Sequence, residues 1–252
     1  MNQNNALSLC KVPEVTIHFW IIKIAATTLG ETGGDAVTMS MGLGYLMGTA
    51  IFASIFIITV FAQISVKKLN PFLYWLTIIA TTTVGTTLAD FADRSLGIGY
   101  LGGTSLLLTL LLASLTLWYF VMGSISINTI TSPNVEIFYW ITILFSQTLG
   151  TALGDWTSDS LDMGYLASAL LFGSFLLAIA LFYKFTQISR TKLFWAAFVL
   201  TRPLGAVVGD FLDKPIAQGG LALSRYHASF ILIIFIIGYL LLIPQKANTK
   251  NY

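Results

Sequence analysis

The chain has little charge and a single cysteine. Only 10% of its 252 residues are charged, against about 25% in a typical soluble domain. One cysteine, Cys10, excludes an internal disulfide and any metal site built from several thiolates. The net charge of +2 gives no basic surface for a nucleic acid. The GxSxG, HExxH, P-loop and dinucleotide-binding motifs are missing as well, so we expect neither an enzyme nor a resident cofactor.

Apolar residues dominate the composition instead. They make up 56% of the chain, and the mean hydropathy is +0.82. Eight segments approach the ~20 residues that cross a bilayer, namely 15–34, 42–62, 71–89, 101–122, 137–154, 163–183, 193–209 and 226–245. The sequence therefore predicts an all-α polytopic membrane protein with eight transmembrane helices among membrane lipids. Its polar start lacks a basic segment before an apolar core, so we expect no cleavable signal peptide.

The chain repeats one unit four times. Each repeat has a tryptophan, a glycine ten residues later and an aspartate fifteen residues later. These residues are Trp20, Trp75, Trp140 and Trp195, then Gly30, Gly85, Gly150 and Gly205, then Asp35, Asp90, Asp155 and Asp210. A Gly-Tyr pair follows in three repeats, and Gly219-Gly220 stands in its place in the fourth. A shared spacing in four copies indicates tandem repetition of one structural unit.

The repeats predict the arrangement of the helices. Approximate boundaries are 13–66, 67–123, 132–187 and 188–245, within one membrane domain over 1–252. Each unit contains two spans joined by a short polar hinge, so all four enter the membrane in the same direction. We expect four parallel helix-hinge-helix units with pseudo-symmetry about an axis near the membrane normal. Eight basic residues lie in the tails and between units, against three at the hinges, which predicts cytoplasmic termini and external hinges.

Polar residues form stripes on the first helix of each unit. Residues four apart share one helix face, and on this face lie Glu31, the four repeated aspartates and the neutral residues Thr27, Thr82, Thr86, Gln147 and Thr151. Hydrocarbon cannot satisfy polar groups, so we expect the stripes to face a common axis. The aspartates lie ~22 Å along the helix from the tryptophans, which places them around an outward-facing vestibule.

A ring of carboxylates is typical of sites for hard cations such as magnesium, calcium or manganese. The predicted metal ligands are Glu31, Asp35, Asp90, Asp155 and Asp210, with neutral oxygens from the threonines and from Gln147. An alternative is a structural lock, in which the carboxylates pair with the basic residues Lys23, Arg94, Arg202 and Lys214. Carboxylates outnumber bases near the hinges, which favours binding of a cation or protons.

Two residues break the repeat. Glu31 stands where the other units have Thr86, Thr151 and Ala206. We predict Glu31 as the deeper, proton-sensitive site. Arg202 replaces threonine or glutamine, either as an internal counter-charge or as the partner of Asp155 or Glu31.

The repeated stretches resemble a bacterial inner-membrane family with four tandem repeats of unknown function, each with two spans and a marked tryptophan. The stretches are TTLGETGGD, TTVGTTLADFADRSLGIGY, QTLGTALGDWTSDS and LTRPLGAVVGDFLDKP, and the resemblance extends from Trp20 to Tyr239. It implies a multi-pass protein of the bacterial inner membrane and leaves the activity open.

The leading functional prediction is a transporter for a small cation, in particular a divalent metal such as manganese, coupled to protons. A non-transporting scaffold or regulatory subunit, with the charges as a lock, is the alternative. A transporter of a small organic solute is a third. The sequence leaves the substrate, the direction of transport and homo-oligomer formation open.

Overall fold

The computed structural model describes residues 10–248. The first nine residues, which bear on the prediction about a signal peptide, and Lys250 lie outside the described residues. The eight long helices are α1 Ile17–Asp35, α2 Gly44–Ser65, α3 Pro71–Asp90, α4 Gly99–Met122, α5 Pro133–Asp155, α6 Gly164–Phe185, α7 Arg190–Asp213 and α8 Arg225–Leu242. Every regular element of this part of the chain is helical, apart from an isolated bridge between Pro13 and Ala247.

Seven of the described helices are long and apolar enough to cross a membrane, which makes this a multi-pass membrane protein. The remaining long helix, α1, falls outside this set because it carries Lys23, Glu31 and Asp35 within 19 residues. The spans built on α3, α5 and α7 are 67–72% buried inside the protein, whereas those of α2, α4, α6 and α8 are only 11–17% buried. The polar-striped helices therefore lie inside, and the second helices present apolar side chains outward.

The inner helices form a closed ring. Helix α1 packs against α3 and α7, and α5 packs against the same two helices. Each outer helix packs mainly on the inner helix of the following unit: α2 on α3, α4 on α5, α6 on α7 and α8 back on α1. The last helix thereby closes the ring by packing on the first helix. The second helix of each unit packs one face against a neighbouring unit.

Aromatic residues close one end of the ring. The residue before each tryptophan packs on the tryptophan of a neighbouring unit, with ring centroids 5.2 to 6.3 Å apart. The pairs are Phe19–Trp75, Tyr74–Trp140, Tyr139–Trp195 and Phe194–Trp20. Such edge and tilted contacts add to the burial of large apolar area, so the repeated tryptophans seal this end by packing.

The hinges of the first three units share one backbone conformation. Each inner helix ends in a π-helical turn, over Ala36–Ser40, Phe91–Ser95 and Trp156–Ser160. Residues with positive φ follow: Gly42 and Gly44, Gly97 and Gly99, and Asp162 and Gly164. Helix α7 instead runs through Asp213 and is followed by a 3₁₀ turn, Ile216–Gln218. The fourth hinge is thus built differently, as its missing Gly-Tyr pair suggests.

Two glycines of α6 permit a matched test of this hinge geometry. A Cβ has open space at both Gly164 and Gly173, but only Gly164 has a positive φ, of +72°. We expect Gly164→Ala to lower the free energy of unfolding by roughly 1–2 kcal/mol, because an L-residue is strained in the left-handed region. Gly173→Ala is expected to be neutral or stabilising because alanine favours the helix. Thermal unfolding of both purified variants checks this, and equal losses would contradict it.

Candidate functional site

The polar stripes of the inner helices form four layers across the ring. Counted from the tryptophan of each unit, the layers lie three, seven, eleven and fifteen residues further on. The lysine layer holds Lys23, Ile78, Ile143 and Phe198; the arginine layer Thr27, Thr82, Gln147 and Arg202; the glutamate layer Glu31, Thr86, Thr151 and Ala206; and the aspartate layer Asp35, Asp90, Asp155 and Asp210. All of these residues are buried.

Glycines fix the arginine layer between the helices. A Cβ built on Gly30 would lie 2.3 Å from Thr82 Cγ2, and one built on Gly150 would lie 2.2 Å from Arg202 Cγ. The repeated glycine of each inner helix therefore receives the arginine-layer residue of a neighbouring helix. Gly85 receives Gln147 and Gly205 receives Thr27 in the same way. Without a side chain at these positions, the backbones approach closely enough to stack the layers.

Arg202 crosses the centre of the ring. Its Nη2 lies 2.9 Å from Glu31 Oε2 and also contacts the hydroxyls of Thr86 and Thr151. These three partners come from α1, α3 and α5, so a single nitrogen joins all the other inner helices. Ala206 occupies the fourth place in the glutamate layer and leaves room for the guanidinium. Of the two partners that the sequence leaves open for Arg202, the structure gives Glu31.

Arg94 bridges one pair in the aspartate layer. Its Nε lies 3.0 Å from Asp90 Oδ1, and its Nη2 lies 3.3 Å from Asp155 Oδ2. Arg94 also donates to the hydroxyl of Tyr45, 3.4 Å away. Because both carboxylates are buried and the guanidinium is 31% exposed, the arginine covers this side of the layer from the hinge.

Lys214 bridges the other pair. Its Nζ lies 3.0 Å from Asp35 Oδ2 and 3.0 Å from Asp210 Oδ1. Burial lowers the pKa of this lysine, but Asp210 and Asp35 raise it more, so its pKa stands above the ordinary value. The ammonium therefore stays charged at neutral pH and occupies the position between the two carboxylates.

The two bridging bases occupy equivalent places. Arg94 and Lys214 both lie nineteen residues after the tryptophan of their unit, in the second and fourth units. The first and third units have Met39 and Asp159 there. Bases alternate with other residues around the ring, so the aspartate layer has a two-by-two pattern. The tryptophans of successive units are 55, 65 and 55 residues apart, so the chain likewise divides into two halves joined by the longer connection 123–134.

Three carboxylates meet where the glutamate and aspartate layers join. Glu31, Asp35 and Asp210 each offer one carboxylate oxygen, and these oxygens lie within 4.8 Å of one another. All three are buried, and Asp35 Oδ1 has no hydrogen-bond partner in the described part of the chain. This group, named here the acidic trio, is the place where the predicted metal ligands converge. Asp90 and Asp155 lie outside it, on the Arg94 side.

The expected outward-facing vestibule is closed in this structure. The four aspartates are only 1–3% exposed. Basic side chains at the hinge are more accessible: Arg94 at 31%, Arg225 at 21% and Lys214 at 12%. The carboxylates therefore lie beneath a layer of cations, and their access depends on movement of these side chains.

Lys23 does not form the ion pair that the structural-lock alternative predicts for it. As a candidate charge partner it would pair with an aspartate, but it lies three layers from the aspartates and pairs with no carboxylate among residues 10–248. Its Nζ instead lies 4.2 Å from the centroid of the Phe198 ring. The physical reason is height along the axis, because twelve residues of helix, about 18 Å, separate Lys23 from Asp35.

The neutral stripe residues divide into three groups. Thr86 and Thr151 contact the guanidinium of Arg202. Thr27 donates to the backbone carbonyl of Lys23, 3.0 Å away. The side chains of Thr82 and Gln147 have no hydrogen-bond partner in the part of the chain that the structure describes.

The comparisons with known proteins identify the repeat. The family model described as Repeat of Unknown Function (DUF347) matches four segments, 18–68, 73–124, 138–189 and 193–243, which together cover well over half of the chain. The chain belongs to this family. The resemblance inferred from the repeated stretches is thus confirmed. Neither the search of curated proteins nor the search of solved structures gives a significant match.

Each DUF347 segment begins near the tryptophan end of an inner helix and ends with or just beyond an outer helix. The four segments overlap the predicted units 13–66, 67–123, 132–187 and 188–245. Every outer helix packs on the inner helix of the next repeat. The two helices of one DUF347 repeat therefore belong to two different packed helix pairs. The exact limits of the units, and their grouping into one domain over 1–252, stay predictions.

Sequence reasoning on the DUF347 repeats assigned no partner to two basic residues that form ion pairs. Arg225 lies 3.0 Å from Asp213 and 3.6 Å from Asp35, so it joins the aspartate network. Lys11 pairs with Glu136 at the tryptophan end and donates to the last carbonyls of α2. Glu136 offered a signal, since it is one of only two acidic residues away from the hinges. Lys11 offered none beyond its charge.

Proposed function

We propose that this protein transports a small cation, in particular a divalent metal such as manganese, and couples its movement to protons. The acidic trio supports this proposal. Glu31, Asp35 and Asp210 bring buried carboxylate oxygens within 4.8 Å of one another, and hard divalent cations are bound by such oxygens. The ion would be cargo, held for a time by these oxygens.

The balance of charge carries the proposal furthest. Three neighbouring groups of ion pairs, taken together as one network, hold six carboxylates, Glu31, Asp35, Asp90, Asp155, Asp210 and Asp213, and four bases, Arg94, Arg202, Lys214 and Arg225. Fully ionised, this network is two charges negative. Unbalanced charge in a poorly solvated site is costly. One divalent cation, or two protons, makes up this difference, which is the stoichiometry expected of a metal–proton exchanger.

Lys214 provides a route for exchange. Its ammonium lies between Asp35 and Asp210, where a cation would bind. Lys214 directly follows the last residue of α7, and its side chain is more exposed than the two carboxylates. Withdrawal of this side chain frees two oxygens for an entering ion. Glu31 lies one layer deeper. As the ion arrives, Glu31 either loses a proton or separates from Arg202.

The architecture fits a transporter of the bacterial inner membrane. The closed inner ring, in which α1, α3, α5 and α7 follow one another, supports pseudo-symmetry about an axis near the membrane normal, with all eight helices spanning. With the basic tails in the cytoplasm, the hinges face outward. The aromatic layer then closes the cytoplasmic side, and the ion enters from the hinge side.

Flux measurements test the proposal. In proteoliposomes containing a divalent-sensitive fluorophore, the native protein is expected to admit Mn²⁺. Glu31→Gln and Asp35→Asn are each expected to lower the flux roughly tenfold or more, since ligand charge sets the affinity of such sites. Asp162→Asn is the control, because Asp162 is an exposed acid at a hinge. Flux that both ligand variants leave unchanged would contradict the site, and native protein without flux would contradict transport of manganese.

A structural lock is the second candidate, favoured by a specific observation. Each of the four aspartates in the aspartate layer has an ion-pair partner. In that case the protein is a scaffold or regulatory subunit. The charge-reversed pair Glu31→Arg with Arg202→Glu separates the two: restored folding without binding of any cation supports the lock. Selective flux of an organic cation in the same liposomes would support the third candidate, a transporter of small organic solutes.

A further inference from the structure

We infer a second, separate ligand site deep in the inner ring, between the lysine and arginine layers, which binds a small monovalent anion such as chloride. Four side chains build it, namely Lys23, Thr82, Gln147 and Arg202, one from each inner helix. All four are 0% exposed. This site takes a ligand of opposite charge to the proposed cation, and none of the three carboxylates of the acidic trio is among its ligands.

Unpartnered polar atoms point to a ligand there. Lys23 Nζ, Thr82 Oγ1, both amide atoms of Gln147, and Nε and Nη1 of Arg202 have no hydrogen-bond partner in the described part of the chain. Buried polar groups are nearly always satisfied, and a charged group left unsatisfied costs more than a neutral one. Six such atoms in two adjacent layers therefore indicate that something else completes them.

The chemistry of these atoms selects an anion. Lysine and arginine nitrogens only donate, and the amide nitrogen of Gln147 donates as well. The amide oxygen of Gln147 and the hydroxyl of Thr82 are the acceptors in this set. The site therefore has a large excess of donors, and an acceptor-only ligand satisfies them.

Formal charge gives the same answer. Lys23 and Arg202 lie in adjacent layers of the ring, and both are 0% exposed. The carboxylate nearest to them, Glu31, is bound by Arg202 Nη2 and leaves Nε and Nη1 without a partner. When Lys23 is protonated, one negative charge faces two positive ones in a buried environment. Water alone would satisfy donors without balancing charge, whereas a monovalent anion does both.

Packing limits the ligand to a small ion. The arginine-layer residues are wedged against glycines, with Arg202 Cγ 2.2 Å from a Cβ built on Gly150 and Thr82 Cγ2 2.3 Å from one built on Gly30. Within the lysine layer, the centroid of the Phe198 ring lies 4.2 Å from Lys23 Nζ. Helices this close leave little width, which favours chloride over polyatomic anions.

Chloride binding by the purified, full-length protein tests the inference. Chloride replaces gluconate at constant ionic strength, and thermal unfolding is followed. A ligand that binds only the folded form raises Tm, so we expect a saturable rise of about 4 °C at a concentration near ten times Kd. Broadening of the ³⁵Cl NMR signal by the native protein provides a direct measurement. A native protein that shows neither effect overturns the inference.

Variants assign the effect to the site. Lys23→Met removes the charge but keeps an apolar chain, and we expect its apparent chloride affinity to fall roughly tenfold or more. Lys192→Met is the matched control, because Lys192 is exposed near the start of α7, and it should respond as the native protein does. Gln147→Leu replaces Lys23→Met if that variant fails to fold. An undiminished chloride response in both Lys23→Met and Gln147→Leu overturns the inference.

Discussion

Arg202→Met is expected to lower the free energy of unfolding by about 3–5 kcal/mol, because it leaves Glu31 as a buried carboxylate without its partner. The expected loss is large since Arg202 is 0% exposed and its Nη2 contacts three helices of the inner ring. Methionine keeps the length and apolar character of the side chain, so the change isolates the charge and its hydrogen bonds. Denaturant titration in mixed micelles measures the loss.

Two further variants sharpen this test. Lys192→Met, at an exposed position near the start of the same helix, is expected to cost less than about 1 kcal/mol, as surface interactions do. Combining Arg202→Met with Glu31→Gln removes both charges and should recover a large part of the stability, because a neutral pair avoids the unbalanced charge. An Arg202→Met variant as stable as the native protein would contradict the central position of this residue.

Gly205→Leu is expected to lower the free energy of unfolding by roughly 3 kcal/mol and to separate α7 from α1. A Cβ at this position would lie 2.1 Å from Thr27 Oγ1 and 2.9 Å from the backbone carbon of the same residue. Backbone cannot move aside as a flexible side chain can, so overpacking here displaces a whole helix. The α7–α1 contact also closes the ring between the last and first units, and a break there affects every layer.

Gly238→Leu is the matched control for this prediction. A Cβ at Gly238 meets nothing within 4 Å, and this glycine lies on the outer helix α8. Leucine there faces open space and suits a helix, so we expect no loss of stability. Thermal unfolding compares the two, and a disulfide introduced between α1 and α7 reports their separation directly. Equal stability of both variants would show that the ring tolerates expansion at Gly205.

The sequence predicts the elements of this protein well because they depend on local spacing. Apolar length identifies the spans, and the structure places helix α2 at Gly44–Ser65 where the segment 42–62 is predicted. The hinge glycines mark where one span ends and the next begins, since Gly42, with a φ of +69°, cannot continue a helix and α2 starts at Gly44. The repeated offset from Trp20 to Asp35 likewise gives the order of the layers along each helix.

Inner and outer helices can also be told apart from the sequence alone. Polar stripes occur only on the first helix of each unit, and such stripes cannot face hydrocarbon. The close approach at Gly205 follows from its place in the repeat. These inferences succeed because each concerns a single helix and its solvent.

Partners across the ring were decided only by the tertiary structure. Glu31 and Arg202 are 171 residues apart in the chain, and no spacing along either helix predicts that Arg202 crosses the axis to reach Glu31. The same holds for the packing of α8 on α1, which no single repeat contains.

Position along the ring axis was the second thing that only the structure decided. Charge alone makes Lys23 a partner for the hinge aspartates, yet it lies too far along the axis to reach them. The sequence of this protein determined which side chains are polar, how far along each helix they lie and which helices turn inward. The tertiary structure decided which of them meet, because an ion pair depends on the height and rotation of two helices relative to each other, and packing of the whole ring sets both.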